Sequence, residues 1–188
     1  MGAKLIACRK RRGHTLPDRP PGGELLRVQP TRDDAEPAYD EVEAWSFPSI
    51  DEARRAAELA EAGPEVLLLA AETHVVKADR SPTGVGRSLF FCRRMPGLSQ
   101  VDFERHWLGP HARLAATIPS VARYEQHVVR IGYPALYDGV AEVWFTSPEA
   151  MRSGRRTPEF EAVQADEVNF LDQDSKLLLI IREAPDVP

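Results

Sequence analysis

Leu136-Tyr137-Asp138-Gly139-Val140-Ala141-Glu142-Val143-Trp144-Phe145 decides the fold, because a second, weaker copy of it lies upstream. Set over Ala38-Tyr39-Asp40-Glu41-Val42-Glu43-Ala44-Trp45-Ser46-Phe47, it shares Tyr, Asp, Val and Phe in register, with a Trp displaced by one residue. Each copy reads as a strand, and each is followed by a helix start. Ser49-Ile50-Asp51-Glu52 is a capping box, and Ser147-Pro148-Glu149 sets proline at the first helical position.

The correspondence extends outward in the same order. Lys4 to Lys10 answers Ser88 to Arg94, and Leu67 to Lys77 answers Leu177 to Glu183. An internal duplication of this kind fixes the architecture before any single element is assigned. The downstream copy reads as a strand at Leu89–Arg94, a helix capped by Ser99, a long strand at Val121–Ile131 and a strand at Gly139–Phe145. A helix from Thr157-Pro158-Glu159 through Val163 and a last strand at Lys176–Glu183 complete it. The order β-α-β-β-α-β predicts a four-stranded antiparallel sheet with both helices on one face. The upstream copy lacks its first helix: Gly13, Pro17, Pro20, Pro21 and Gly22 break any regular helix between Lys10 and Gly23. The expected organisation is a degenerate half at 1–80, a linker at 81–86 and a complete half at 87–188.

Composition excludes several functions. Among 188 residues, 24 basic and 29 acidic side chains leave a net charge of −5, which gives no electrostatic case for nucleic acid. The run Arg9-Lys10-Arg11-Arg12 is short and reads as a solvated strand end. Cys8 and Cys92 lie in apolar stretches without metal-ligand spacing, and no apolar run is long enough to span a bilayer. A reduced, cytoplasmic setting is expected, with no membrane and no nucleic acid as partner.

The chemistry-bearing stretch is Phe103-Glu104-Arg105-His106-Trp107 followed by Gly109-Pro110-His111. Proline and glycine there bend or restart the helix. His111, beside that bend, is the first choice for a general base, since an imidazole titrates near neutral pH. His106 is five residues away, not the i, i+4 spacing of a shared metal face, so no metal is expected. Tyr124 and Tyr137 have hydroxyls able to stabilise a developing oxyanion. Trp107, Phe91 and Trp144 are expected to line a pocket, with Trp144 and Phe145 facing opposite sides of their strand. Asp138, repeated as Asp40, reads mainly as a turn-capping residue beside Tyr137, and Asp166 and Asp172 read as solvated. His127 shares a strand face with Arg123 and Glu125, a polar set that fits a wet barrel interior or an exposed sheet; if the halves pack together, this face meets Leu26, Val28 and Pro30.

Phe103-x-x-His106-Trp107-x-x-x-His111-Ala112-x-Leu114, Val121-Ala122-Arg123-Tyr124, Tyr137 to Phe145, Ala165-Asp166-Glu167 and Phe170-Leu171-Asp172 together resemble the EthD family of the dimeric α/β barrel superfamily. The resemblance implies an α+β fold of two ferredoxin-like repeats, their sheets packed face to face into a barrel within one chain. The protein would then be a monomer with an intrachain barrel, or a homodimer. Relatives in that superfamily include isomerases, polyketide cyclases and dehydratases, cofactor-free monooxygenases and haem-degrading enzymes, so fold alone selects no reaction. The expectation is a cofactor-independent enzyme moving a proton on a small hydrophobic, polyketide- or lactone-like substrate. In that scheme His111 is the base, and Tyr124 or Tyr137, with His106, steadies the oxyanion. The alternatives are a cofactor-free monooxygenase and a non-catalytic binding protein.

Overall fold

The computed structural model describes residues 2–10, 23–29, 37–60, 65–78 and 86–182. Residues 81–85 of the linker, the Pro-rich stretch after Lys10 and Pro30 lie outside the described residues. Strands β1 (Ala3–Arg9), β2 (Glu24–Gln29), β3 (Glu41–Phe47) and β4 (Val66–Ala78) come from the upstream half. Strands β5 (Arg87–Cys92), β6 (Val121–Tyr133), β7 (Gly139–Phe145) and β8 (Leu177–Arg182) come from the downstream half. Around the closed barrel the order is β1-β3-β2-β8-β5-β7-β6-β4. Each half therefore has the same internal order, its first strand between its third and fourth. The halves are also hydrogen-bonded to each other edge to edge. Val28 pairs with Ile181 on one side, and Thr73 pairs with His127 on the other. Closure leaves no open sheet edge, which removes the unpaired N–H and C=O groups that strand edges expose.

Period-two alternation divides the side chains into an inside and an outside layer. Inside, Ile6, Cys8, Leu26, Val28, Val42, Leu67, Leu69, Leu89, Phe91, Val140, Leu179 and Ile181 fill the barrel. Leu26 and Val28 thus meet apolar partners, and the polar face of β6 meets other groups. Outside the upstream sheet, helix α1 (Ile50–Leu59) packs through Ala53 and Ala57 over Leu5, Leu68 and Trp45. Outside the downstream sheet lie α2 (Gln100–His106), α3 (Ala112–Ala116), α4 (Pro148–Ser153) and α5 (Pro158–Glu167). Their core joins Phe103, Trp107, Ile118, Val163 and Phe170 to Tyr124, Val128, Ala141 and Phe145 of the sheet. Trp144 and Phe145 do face opposite sides: Trp144 lines the barrel mouth and Phe145 lies under the helices.

The helix starts follow from their caps. Ser49, Ser99, Ser147 and Thr157 each accept a hydrogen bond from the backbone N–H three residues on. Such a cap contributes about 1 kcal/mol. The solvated reading of the basic run fails at Arg9, which is buried and pairs with Glu43 at 2.8 Å. The strand register sets Glu41 opposite Arg9, and the Arg9 side chain reaches diagonally across the outer face of β3 to Glu43.

Candidate active site

Between α2 and α3 the chain makes one π-helical turn, Trp107–His111, with Pro110 inside it. Proline has no N–H to give and its ring crowds the preceding turn, so the helix widens there instead of breaking. The wider turn closes with i→i+5 bonds: the Ala112 N–H donates to the Trp107 carbonyl. That carbonyl also accepts from Gln126 Nε2 of β6 at 3.0 Å, which ties the turn to the sheet.

This local geometry changes what a five-residue spacing means. Residues five apart lie on different sides of an α-helix but nearly above one another in a π turn. Accordingly His106 and His111 reach the same carboxylate. His111 Nδ1 donates to Asp166 Oδ2 at 2.9 Å, and His106 Nε2 donates to Asp166 at 3.0 Å. Asp166, near the end of α5, is also held by Asn169 Nδ2 at 3.3 Å. The expectation of a solvated Asp166 is corrected: its side chain is 14% exposed and serves as the shared acceptor of both histidines. Phe170 sits under both imidazoles, each ring centroid 4.8 Å from its own. By contrast Asp172 caps a short turn, accepting from the Asp174 backbone N–H at 3.2 Å.

His111 is the buried member of the pair, and His106 is the outer one. Burial pushes the His111 pKa below its ordinary value of 6.5, and the hydrogen bond and charge of Asp166 only partly offset this. Asp166 is driven up by burial, yet the hydrogen bonds from His111, His106 and Asn169 hold it below its ordinary value. The two directions agree on a neutral imidazole beside an ionised carboxylate. With Nδ1–H committed to Asp166, Nε2 carries the lone pair.

His111 lines a cavity of about 360 Å³ between the sheet and the helices. Trp107, Ile118, Val143, Phe145, Phe160 and Leu178 give it an apolar wall. Tyr124 also lines it. Burial pushes the Tyr124 phenol up, so it stays neutral and able to donate, and its oxygen accepts from Gln126 Nε2 at 3.0 Å. At the rim, Lys176 pairs with Glu167 at 2.5 Å. Trp107 is seated by Gly139: a Cβ on that residue would fall 2.4 Å from the indole.

The expected site residues are not all gathered here. His111, Trp107 and Tyr124 line this cavity, with His106 behind Asp166. Phe91 and Tyr137 contact each other, ring centroids 5.4 Å apart, with Phe91 in the barrel interior. Tyr137 lines a separate cavity at that barrel end together with Tyr39. Asp138 accepts from the Arg94 backbone N–H at 2.9 Å and pairs with the Arg94 guanidinium, which secures the start of β7. Trp144 lies at the opposite barrel mouth, with the Lys4, Arg87 and Arg123 cations over its ring. Gln126 and Phe170 carry much of the site's geometry; in the sequence Phe170 enters only through the EthD resemblance, and Gln126 is not singled out. The signal for Gln126 is a polar residue on the apolar, helix-facing side of β6.

Residues 95–174 match the family model of the EthD domain. Among solved structures, an EthD family protein from Bacillus halodurans is 19% identical, over 53% of this chain and 99% of that chain, with a TM-score of 0.47. An anthrone oxidase-like protein is 13% identical, over 97% of this chain and 91% of that one, with a TM-score of 0.59. A candidate monooxygenase from Lactobacillus acidophilus is 13% identical, over 96% of this chain and 93% of that one, with a TM-score of 0.52. The last two share the whole-chain fold. No curated protein matches the chain. Among the described residues, no helix is long and apolar enough to cross a membrane.

Proposed function

On the premise that residues 95–174 are an EthD domain, we propose that this protein is an enzyme that removes a proton from a small hydrophobic substrate bearing an acidic C–H or O–H. The carrying observation is His111, hydrogen-bonded to Asp166, on the wall of a cavity whose lining is mostly apolar, with Arg155, Gln164, Glu167 and Lys176 among its polar members. His111 Nε2 is the base. Asp166 holds the ring in the tautomer that leaves Nε2 unprotonated, and its charge stabilises the imidazolium that forms. Tyr124, kept neutral by burial, donates to the oxygen that gains charge as the proton leaves. His106 shares Asp166 from outside the cavity, so its part is to position the carboxylate. Returning the proton at another atom gives an isomerase, and loss or attack at a neighbouring carbon gives a dehydratase or cyclase. The substrate class is a lactone or polyketide-like carbonyl compound.

A second reading uses the same first step. The substrate anion reacts directly with dioxygen, as in a cofactor-free monooxygenase, and the whole-chain fold shared with an anthrone oxidase-like protein supports keeping it.

The test is carbon-bound deuterium incorporation in heavy water, using benzoylacetone and anthrone as probes and proton NMR as the readout. Wild-type protein accelerates exchange, and His111→Ala loses about a hundred- to ten-thousandfold of that acceleration. Equal exchange by both proteins would sink the assignment. Oxygen uptake in step with substrate loss selects the monooxygenase, and exchange without uptake selects proton transfer.

A further inference from the structure

The barrel mouth opposite Tyr137 holds a second constellation, separate from His111. Glu125 and His127 project inward from β6, and Glu142 projects inward from β7, where the strand register sets it opposite Glu125. All three side chains are buried, and Glu125, His127 and Glu142 each present a donor atom within 4.8 Å of the others. The remaining atom of each is held in place. Glu142 Oε1 accepts from Arg87 Nε at 2.7 Å, Glu125 Oε1 accepts from Arg123 Nε at 2.9 Å, and His127 Nδ1 lies 3.1 Å from Thr73 Oγ1. This leaves Glu125 Oε2, Glu142 Oε2 and His127 Nε2 facing one point.

A cation already stands there. Lys4 Nζ is 3.0 Å from Glu125 Oε2 and 2.5 Å from Glu142 Oε2, while His127 Nε2 is 2.9 Å from the same Glu142 oxygen. Lys4 also borders a cavity of about 820 Å³ opening from the barrel mouth. Its flexible chain has room to turn outward without moving the strands.

We propose that Glu125, His127 and Glu142 form a binding site for a divalent first-row metal ion, with Lys4 as a displaceable internal cation that competes for it. Two carboxylates and one imidazole suit manganese, iron, cobalt or zinc better than calcium, which takes oxygen ligands only, or copper(I), which prefers sulfur. Each ligand has its outer hydrogen-bond partner, the feature that orients metal ligands and fixes their spacing. Three protein ligands leave coordination positions open towards the large cavity. The protons balance without loss. On binding, the His127 N–H moves from Nε2 to Nδ1, where it donates to Thr73 Oγ1, and Lys4 leaves as the ammonium.

The test is titration of the chelator-treated, dialysed full chain with Co²⁺, followed by visible absorption and by displacement with Zn²⁺. Wild type binds one Co²⁺ per chain with ligand-field bands. Lys4→Met binds at least about tenfold tighter, because no internal ammonium has to be displaced from the same carboxylate oxygens before the metal enters. His127→Gln loses the bands. Circular dichroism on each variant confirms that it is folded. Absence of saturable Co²⁺ binding by the wild type overturns the proposal, even if Lys4→Met binds. Bands that persist in His127→Gln, or equal affinity in wild type and Lys4→Met, overturn it as well.

Discussion

Asp166 Oδ2 accepts from His111 Nδ1 at 2.9 Å, and that bond decides which nitrogen of His111 is available for chemistry. Asp166→Asn keeps the side chain's shape but replaces the anion with an amide that can present either a donor or an acceptor. The ring then loses both its fixed tautomer and the partner for the imidazolium. Proton exchange on the probe substrates should slow by more than about tenfold, with binding of the same probes nearly unchanged.

The pH profile follows from the direction of the His111 shift. Its folded pKa lies below 6.5, so the unfolded chain binds more protons between the two values. The stability contributed by the neutral, buried ring is therefore fully present above 6.5 and is lost as pH falls through the folded value. Exchange activity should show the same acid limb, centred below 6.5. Because Asp166 raises the His111 pKa, Asp166→Asn should move that limb to still lower pH. An acid limb centred above 6.5 in the wild type would count against a buried, neutral base.

Gly139 is where the sheet makes room for the site. Gly139→Ala would put a methyl group 2.4 Å from the Trp107 ring and force the indole off the strand. Urea unfolding should show a loss of about 1–3 kcal/mol, with weaker probe binding as Trp107 shifts in the cavity wall. Unchanged stability would mean that the indole relaxes without cost.

Gln126→Leu tests whether the π turn is held from the sheet. The leucine nearly matches the glutamine in volume but removes the donor to the Tyr124 hydroxyl and the sheet's hydrogen bond to the Trp107 carbonyl, which keeps only the Ala112 N–H. A cost of about 1–3 kcal/mol is expected, together with slower exchange, because both His111 and Tyr124 lose their alignment.

Much of the barrel was legible in the sequence because its signals are local and repeated. The two Tyr-Asp strands, the four hydroxyl caps and the period-two alternation of β6 and β7 each act within a few residues. The edge-to-edge bonding of the halves was not legible, since Thr73 opposite His127 is a matter of long-range register. At the site, His111 stood out by chemistry and by its Gly-Pro neighbour. Its partner did not: α-helical spacing separates His106 from His111, and only the wider turn brings both to Asp166. Asp166 itself lies in a run of polar residues on α5, where nothing nearby distinguishes a buried acceptor from a solvated one. Glu125, His127 and Glu142 were likewise invisible as a set until strand pairing put Glu142 beside Glu125.

The most direct measurement is nitrogen-15 NMR of the histidine side chains at pH 7, with His111 assigned by comparison with a His111→Gln variant. The account predicts a neutral His111 with the proton on Nδ1 and a pyridine-type Nε2, and a spectrum that changes in Asp166→Asn. An imidazolium at that pH, or a neutral ring with the proton on Nε2, would contradict it.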